Sequence, residues 1–201
     1  METVEYLCKK FDIDLKKKSP FNIKCNRWSE LPIIFNELNY KIGAEIGVLR
    51  GEWSDNLFKY IPGLKMYCID IWEYYPTYRD FRNQKHLDEC YKDAKRRLKD
   101  KDATIIKKWS MDAVKDFENE SLDFVFIDGN HSFEYVTNDI AEWSKKVRKD
   151  GIVFGHDYFR SPSRAFIHVK DVVQGWAYSH DIHPWFVLQG DQHKSWMWVK
   201  K

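Results

Sequence analysis

Two stretches place acidic and imidazole side chains at the ends of apolar runs: Asp123-Phe-Val-Phe-Ile-Asp128-Gly-Asn-His131 and Gly151-Ile-Val-Phe-Gly-His156-Asp157-Tyr158. Each reads as a short β-branched and aromatic strand that stops abruptly at polar groups. Those groups can hold a divalent cation, take a proton, or do both. In an open α/β sheet the carboxyl ends of the strands form the ligand crevice. Two neighbouring strands of this kind would therefore bring Asp128, His131, His156 and Asp157 around one cleft.

A third stretch, Gly43-Ala-Glu45-Ile-Gly47-Val-Leu-Arg-Gly51, runs from a strand into a glycine-bearing turn. Glycine there lets backbone approach a ligand more closely than bulkier residues allow. The spacing departs from the dinucleotide fingerprint G-x-G-x-x-G, which counts against a nicotinamide cofactor. About twenty residues on, Asp70 closes the next strand, where a carboxylate can accept both hydroxyls of a ribose. Taken alone, Glu45-x-Gly47 is equally well a tight structural turn. With Asp70 in place, a nucleoside ligand is favoured.

The elements that must position these groups alternate along the chain. Strands are expected at 42–46, 65–71, 104–108, 122–127 and 152–154, and helices at 53–60, 81–99, 112–117, 133–147 and 165–178. In the segment 133–147, Phe133, Val136, Ile140, Trp143 and Val147 recur at helical spacing. A further helix is expected over 28–38, with Ser29 as its cap and Pro32 in its first turn. Two last strands, 185–188 and 196–199, are joined by a short polar loop with no helix between them, which predicts an antiparallel hairpin at the sheet edge. The expected fold class is α/β: a doubly wound, Rossmann-like sheet, mainly parallel, with that C-terminal edge hairpin and helices on both faces. Residues 1–27 read as an N-terminal helical extension and 28–201 as the main domain.

Composition narrows the function classes. Basic and acidic residues nearly cancel, 33 against 31, so no whole-protein field favours nucleic acid. The nine tryptophans read as bulky core rather than a base-stacking platform. Cys8, Cys25, Cys68 and Cys90 form no C-x-x-C pair, and Cys68 falls inside an apparent buried strand, so free thiols in a reducing, cytoplasmic compartment are expected. The first residues lack a basic-then-apolar signal pattern and no apolar run reaches membrane-spanning length, so no membrane partner is expected.

Together these motifs resemble the class I S-adenosylmethionine-dependent methyltransferases, of the small O-methyltransferase type related to the macrolide-sugar enzymes. The resemblance spans roughly 28–200 and rests on the three stretches above, on Tyr67-Cys-Ile-Asp70 and on the closing Ser195-Trp-Met-Trp-Val199. Many class I enzymes carry a third glycine where this chain has Leu49. The resemblance implies S-adenosylmethionine (SAM) as cofactor, with Glu45, Gly47 and Gly51 along its methionyl and ribose side and Asp70 on the ribose hydroxyls. It puts Ser110, Met111 and Asp112 near adenine, and Asp128 against the cofactor as well. It also implies Mg²⁺ held by Asp128 and Asp157, and His131 as the base that takes the proton of a substrate hydroxyl. The implied partner is a small hydroxylated molecule, a sugar among the options. A homo-oligomer is compatible with it.

Simpler roles stand beside these. Asp128 and Asp112 can each cap the helix that follows, and His131 can be a surface residue at a helix start. His156 and Tyr158 flank Asp157 where metal-dependent relatives often carry a carboxylate or amide, which leaves a metal-free site with His131 or His156 as base. His168, His180, His183 and His193 share no spacing and read as structural or surface groups. Two aromatic and arginine-bearing stretches, 72–84 and 158–164, read as a rim over the cleft or as loops packed on their own domain. A Rossmann-like nucleotide binder without methyl transfer, either a nicotinamide-dependent oxidoreductase or a non-catalytic module, is the competing reading.

Overall fold

Alternation of apolar side chains along the strands builds one mixed sheet with a core on each face. The computed structural model describes residues 2–76 and 83–201. Its elements are α1 (Thr3–Phe11), β1 (Phe21–Ile23), α2 (Glu30–Glu37), β2 (Ile42–Ile46), α3 (Glu52–Leu57), β3 (Lys65–Asp70), α4 (Gln84–Leu98), β4 (Ala103–Lys107), α5 (Ser110–Ala113), β5 (Leu122–Ile127), α6 (Phe133–Lys146), β6 (Val147–Gly155), α7 (Val169–Ser179), β7 (Trp185–Leu188) and β8 (Ser195–Val199). The strands lie in the order β1-β7-β8-β6-β5-β2-β3-β4. β8 runs antiparallel to both β6 and β7, and the other neighbours pair in parallel. The chain leaves β2 outward through β3 and β4, then returns to β5 on the other side of β2. That reversal makes a topological switch point between β2 and β5, with the crevice beyond their carboxyl ends.

Side chains on successive strand residues point to opposite faces. Phe124 and Phe126 join Trp53, Leu57, Ala94 and Phe154 on the face covered by α1 to α4. Val125 and Ile127 join Val136, Ile140, Trp143 and Val173 on the face covered by α5 to α7. Trp53, Trp72, Trp143, Trp185, Trp196 and Trp198 are all buried, so most of the tryptophan serves packing. Among the described residues no helix is long and apolar enough to cross a membrane.

The doubly wound architecture follows the sequence reading, with five local differences. Residues 1–27 are not helical throughout: after α1 comes β1, which pairs with β7 and places one more strand outside the C-terminal hairpin. Three residues are too few to show an alternation. Ser29 does not cap α2; Asn26 Oδ1 accepts the N–H groups of Trp28 and Ser29, and Glu30 accepts that of Asn26. Phe133 is 52% exposed, so the apolar stripe of α6 begins at Val136. β6 starts at Val147, directly after α6, rather than at Ile152, because Val147 pairs with Leu122 across an irregular register. The helix expected over 81–99 is α4, beginning at Gln84; residues 81 and 82, like 77–80 of the expected rim, lie outside the described residues.

Phe124 shows how tightly the centre is filled. Its ring stacks on Phe35 at 4.5 Å and sits where a Cβ on Gly43 would come within 2.1 Å of it. Phe124→Ala is expected to cost about 3–5 kcal/mol, the range for emptying a buried aromatic site. Urea denaturation would measure it, and a loss under about 1 kcal/mol would contradict this packing.

Candidate active site

One half of the crevice is built by two turns locked to one carboxylate. Gly47 leaves β2 at φ +90°, and a Cβ there would meet the Asp128 carbonyl oxygen at 2.2 Å, so only glycine fits. Leu49, where relatives often have glycine, adopts a left-handed φ of 49°. Such a conformation costs about 1–3 kcal/mol for a residue with a side chain. Two hydrogen bonds hold it: Leu49 N–H donates to Asp70 Oδ2 at 2.9 Å, and its carbonyl accepts Trp72 Nε1–H at 2.8 Å. Asp70 Oδ1 accepts the N–H of Trp72 at 2.9 Å, so one carboxylate ties the glycine turn to the end of β3. Burial pushes the Asp70 carboxyl up, and the backbone N–H donors pull against that rise.

Asp70 and Gly47 line an open cleft at this end of the sheet. Tyr75, Trp109 and Tyr135 form its aromatic side; Tyr75 lies 4.7 Å from Trp109 and 6.2 Å from Tyr135. Ser110 lies at its inner end, accepting Trp143 Nε1–H at 2.8 Å and donating its hydroxyl proton to Asp139. Asp139 lines the same cleft, and burial pushes its carboxyl up to about 7, with the Ser110 hydroxyl working against the rise. A cleft that has an aromatic side and carries the Asp70 and Asp139 carboxyls suits a nucleoside.

Four residues expected along the cofactor lie elsewhere. Glu45 is buried beneath the sheet end, accepting the Ser54 hydroxyl, and burial raises its carboxyl to about 8. Met111 packs against the α5–α7 core. Asp112 faces solvent and pairs with Lys115 at 2.8 Å, whose hydrogen bond holds it below the usual carboxylate range. Gly51 opens α3 at φ 71° against Ala94 and Leu98 instead of lining the cleft. One strand places Glu45 and its neighbours on opposite faces, and the short helix α5 turns Met111 and Asp112 away from Ser110.

The other half gathers around Asp157, a residue in the left-handed region at φ 52° just beyond β6. His131 Nε2 donates to its Oδ2 at 3.0 Å, and His193 Nδ1 lies 3.0 Å from its Oδ1. His156 Nδ1 lies 3.3 Å from the same Oδ1. Burial alone would raise Asp157, but the His131 hydrogen bond, with the electrostatic pull of the neighbouring His131, His156 and His193 rings, outweighs it and holds the carboxyl well below its ordinary range. Asp128, at the end of β5, approaches His131 at 3.5 Å and His156 at 3.7 Å through Oδ1. His156 Nε2–H donates to the His193 carbonyl at 3.1 Å, so its Nδ1 faces the two carboxylates. Burial lowers the His156 pKa, and a neutral ring in that pose aims a lone pair at anions unless a proton or cation lies between. One atom each from Asp128, His131 and Asp157 can lie within 4.8 Å of one another, a spacing a metal ion can bridge.

Sequence reasoning brought Asp128, His131, His156 and Asp157 together, and the structure does the same. It set His193 aside, yet the β7–β8 loop carries that ring onto Asp157. It also missed Arg27, Asp191 and Asp139. Only Asp139 left a signal: it falls on the buried stripe of α6, three residues after Val136 and four before Trp143. Tyr158, read as rim, is instead buried against Trp185.

Residues 44–158 match the family described as a methyltransferase domain. The chain belongs to this methyltransferase family. The match covers both turns and both carboxylate-bearing strand ends, and bears out the class I resemblance read from them. Among curated proteins no sequence matches significantly. The fold is shared with the O-methyltransferase TomG of Streptomyces achromogenes, involved in tomaymycin synthesis and solved with SAM, at TM-score 0.65, 15% identity, and 100% and 91% coverage of the two chains. It is also shared with an O-methyltransferase of Bacillus cereus solved with S-adenosylhomocysteine (SAH), at TM-score 0.64, 14% identity, and 98% and 89% coverage.

Two buried carboxyls give this methyltransferase a pH signature. A raised pKa means the folded state keeps a proton the unfolded chain has released, so stability falls as pH rises between the two values. For Asp139 the stabilising contribution is complete below its ordinary 3.8 and is lost as pH rises through about 7. For Glu45 the window runs from 4.5 to about 8. Melting temperatures of Asp139→Asn and Glu45→Gln, taken from pH 5 to pH 8, are expected to decline less with pH than those of the parent. Parallel curves would refute buried neutral carboxyls.

Proposed function

We propose that the protein transfers a methyl group from SAM to a hydroxyl oxygen of a small molecule, a sugar or another hydroxylated metabolite. One observation carries this reading: the His131–Asp157 pair, 3.0 Å apart, stands at the carboxyl end of β6 beside an aromatic-sided cleft lined by Asp70. The two similarly folded O-methyltransferases with SAM or SAH bound support it.

The cleft residues fit the cofactor. Asp70 takes the ribose hydroxyls, and the aromatic side of the cleft takes the adenine face. When bound, SAM supplies a sulfonium methyl already activated for displacement, so the chain's task is in-line positioning and removal of one proton. His131 takes the proton of the attacking hydroxyl. Asp157 fixes that ring and stabilises the imidazolium that forms, as its strongly lowered pKa indicates. Asp128 and Asp157 offer hard oxygen donors that suit Mg²⁺, which keeps several waters and needs few carboxylates. That ion would lower the pKa of a bound hydroxyl. The four free cysteines accord with a reducing cytoplasm as the place of action.

Calorimetry with SAM, in Mg²⁺ and in EDTA, followed by turnover on sugars and phenols, tests the reading. Asp70→Ala is expected to abolish cofactor binding. His131→Ala is expected to keep the parent's SAM affinity while losing roughly 10²–10⁴ in turnover, the usual worth of a general base. Parent-level turnover in His131→Ala would remove it as the base. No SAM binding by the parent would remove the cofactor.

A further inference from the structure

We propose that Arg27 binds the carboxylate of the methionyl arm of SAM; the inference rests on the reading above and assigns a second end to the same cofactor site. Arg27 lies between β1 and α2, well before residue 44, where the match to the methyltransferase family begins.

Its backbone is held firmly. Asn26 donates to the Gly190 carbonyl at 2.9 Å and to Asp191 at 2.8 Å, while accepting from Trp28 at 2.8 Å. A Cβ on Gly190 would come within 2.6 Å of the Asn26 backbone, so the β7–β8 loop is fitted against this turn. The Arg27 side chain is 13% exposed and lies against Trp28 and Phe126, 4.9 and 5.7 Å from the two rings.

The guanidinium is under-coordinated for so buried a charge. One amino group lies 3.7 Å from Asp128 Oδ2, and Nε lies 3.5 Å from Asp191 Oδ2. Nε is buried and makes no hydrogen bond. A guanidinium carries five N–H donors in a fixed fork, and leaving buried donors unspent is costly. The group such a fork takes best is a planar oxyanion.

Charge spacing names the anion. Asp128 Oδ1 faces His131 and His156, whereas Oδ2 faces Arg27. A carboxylate and a guanidinium side by side complement the ammonium and carboxylate of an α-amino acid. The cofactor is such an amino acid, carried on a nucleoside. With ribose on Asp70, its arm would run along Gly47 and Gly129, which line the cleft, toward Asp128, next to Gly129, and the Arg27 guanidinium beside it.

Calorimetric affinities for SAH and for 5′-methylthioadenosine test this, because the second ligand keeps the adenosine and thioether but lacks the amino-acid end. In Arg27→Gln, SAH is expected to bind roughly tenfold or more weakly, the scale of a charge-assisted hydrogen bond, with methylthioadenosine unchanged. Arg27→Lys is expected to fall between parent and Gln, and intact methylthioadenosine binding shows that each variant is folded. Equal losses for both ligands would overturn the proposal and make Arg27 a support of the cleft. No loss for either would overturn it in favour of an anion on the acceptor. A parent that binds neither ligand would bring down the cofactor reading itself, a result distinct from both.

Discussion

Everything at this site depends on the close passage of two backbones where β2 and β5 meet. The strands pair in parallel from Gly43 with Phe124 to Ile46 with Ile127, and the Asp128 N–H then donates to the Ile46 carbonyl at 2.8 Å. One residue further, Gly47 turns so near the Asp128 carbonyl that no side chain could stand between them. That contact opens the crevice and sets the distance between the Asp70 side and the Asp157 side. Asp70 reinforces it from β3 by holding Leu49 in a conformation the residue would not choose alone.

Burial then sorts the carboxyls by role. Glu45 and Asp139 are enclosed with a serine as their main hydrogen-bond partner, so desolvation favours their neutral forms. Asp157 is nearly as enclosed, yet three imidazoles and their donors keep it ionised. The same physical cost is met by a proton in one case and by imidazole neighbours in the other. The ionised Asp157 carboxylate stands just beyond β6, while the neutral Asp139 carboxyl lines the cleft with Gly47 and Asp70. Arg27 and Asp191 extend the charged array on the far side of Asp128, with the Phe126 and Trp28 rings against the guanidinium.

Loops distant in sequence complete what the strand ends begin. The turn before α2 brings Arg27, and the β7–β8 loop brings Asp191 and His193, joined through Asn26 and Gly190. β1 makes this meeting possible: its pairing with β7 carries the N-terminal turn to the same end of the sheet as the hairpin loop.

By itself the sequence determined the doubly wound sheet, because alternation between helical and strand periods is a local property written into neighbouring residues. It likewise marked Gly47, Asp70, Asp128, His131, His156 and Asp157, since each stands at the end of a strand legible from its own apolar run. Only the tertiary structure decided which polar groups turn into the crevice. Glu45, Met111 and Asp112 fall away from it because strand pleat and helix phase, which a motif does not record, aim them elsewhere. Arg27 and Asp191 enter because chain folding brings together loops more than 160 residues apart, and His193 because its loop folds back onto Asp157; no spacing in sequence encodes such contacts.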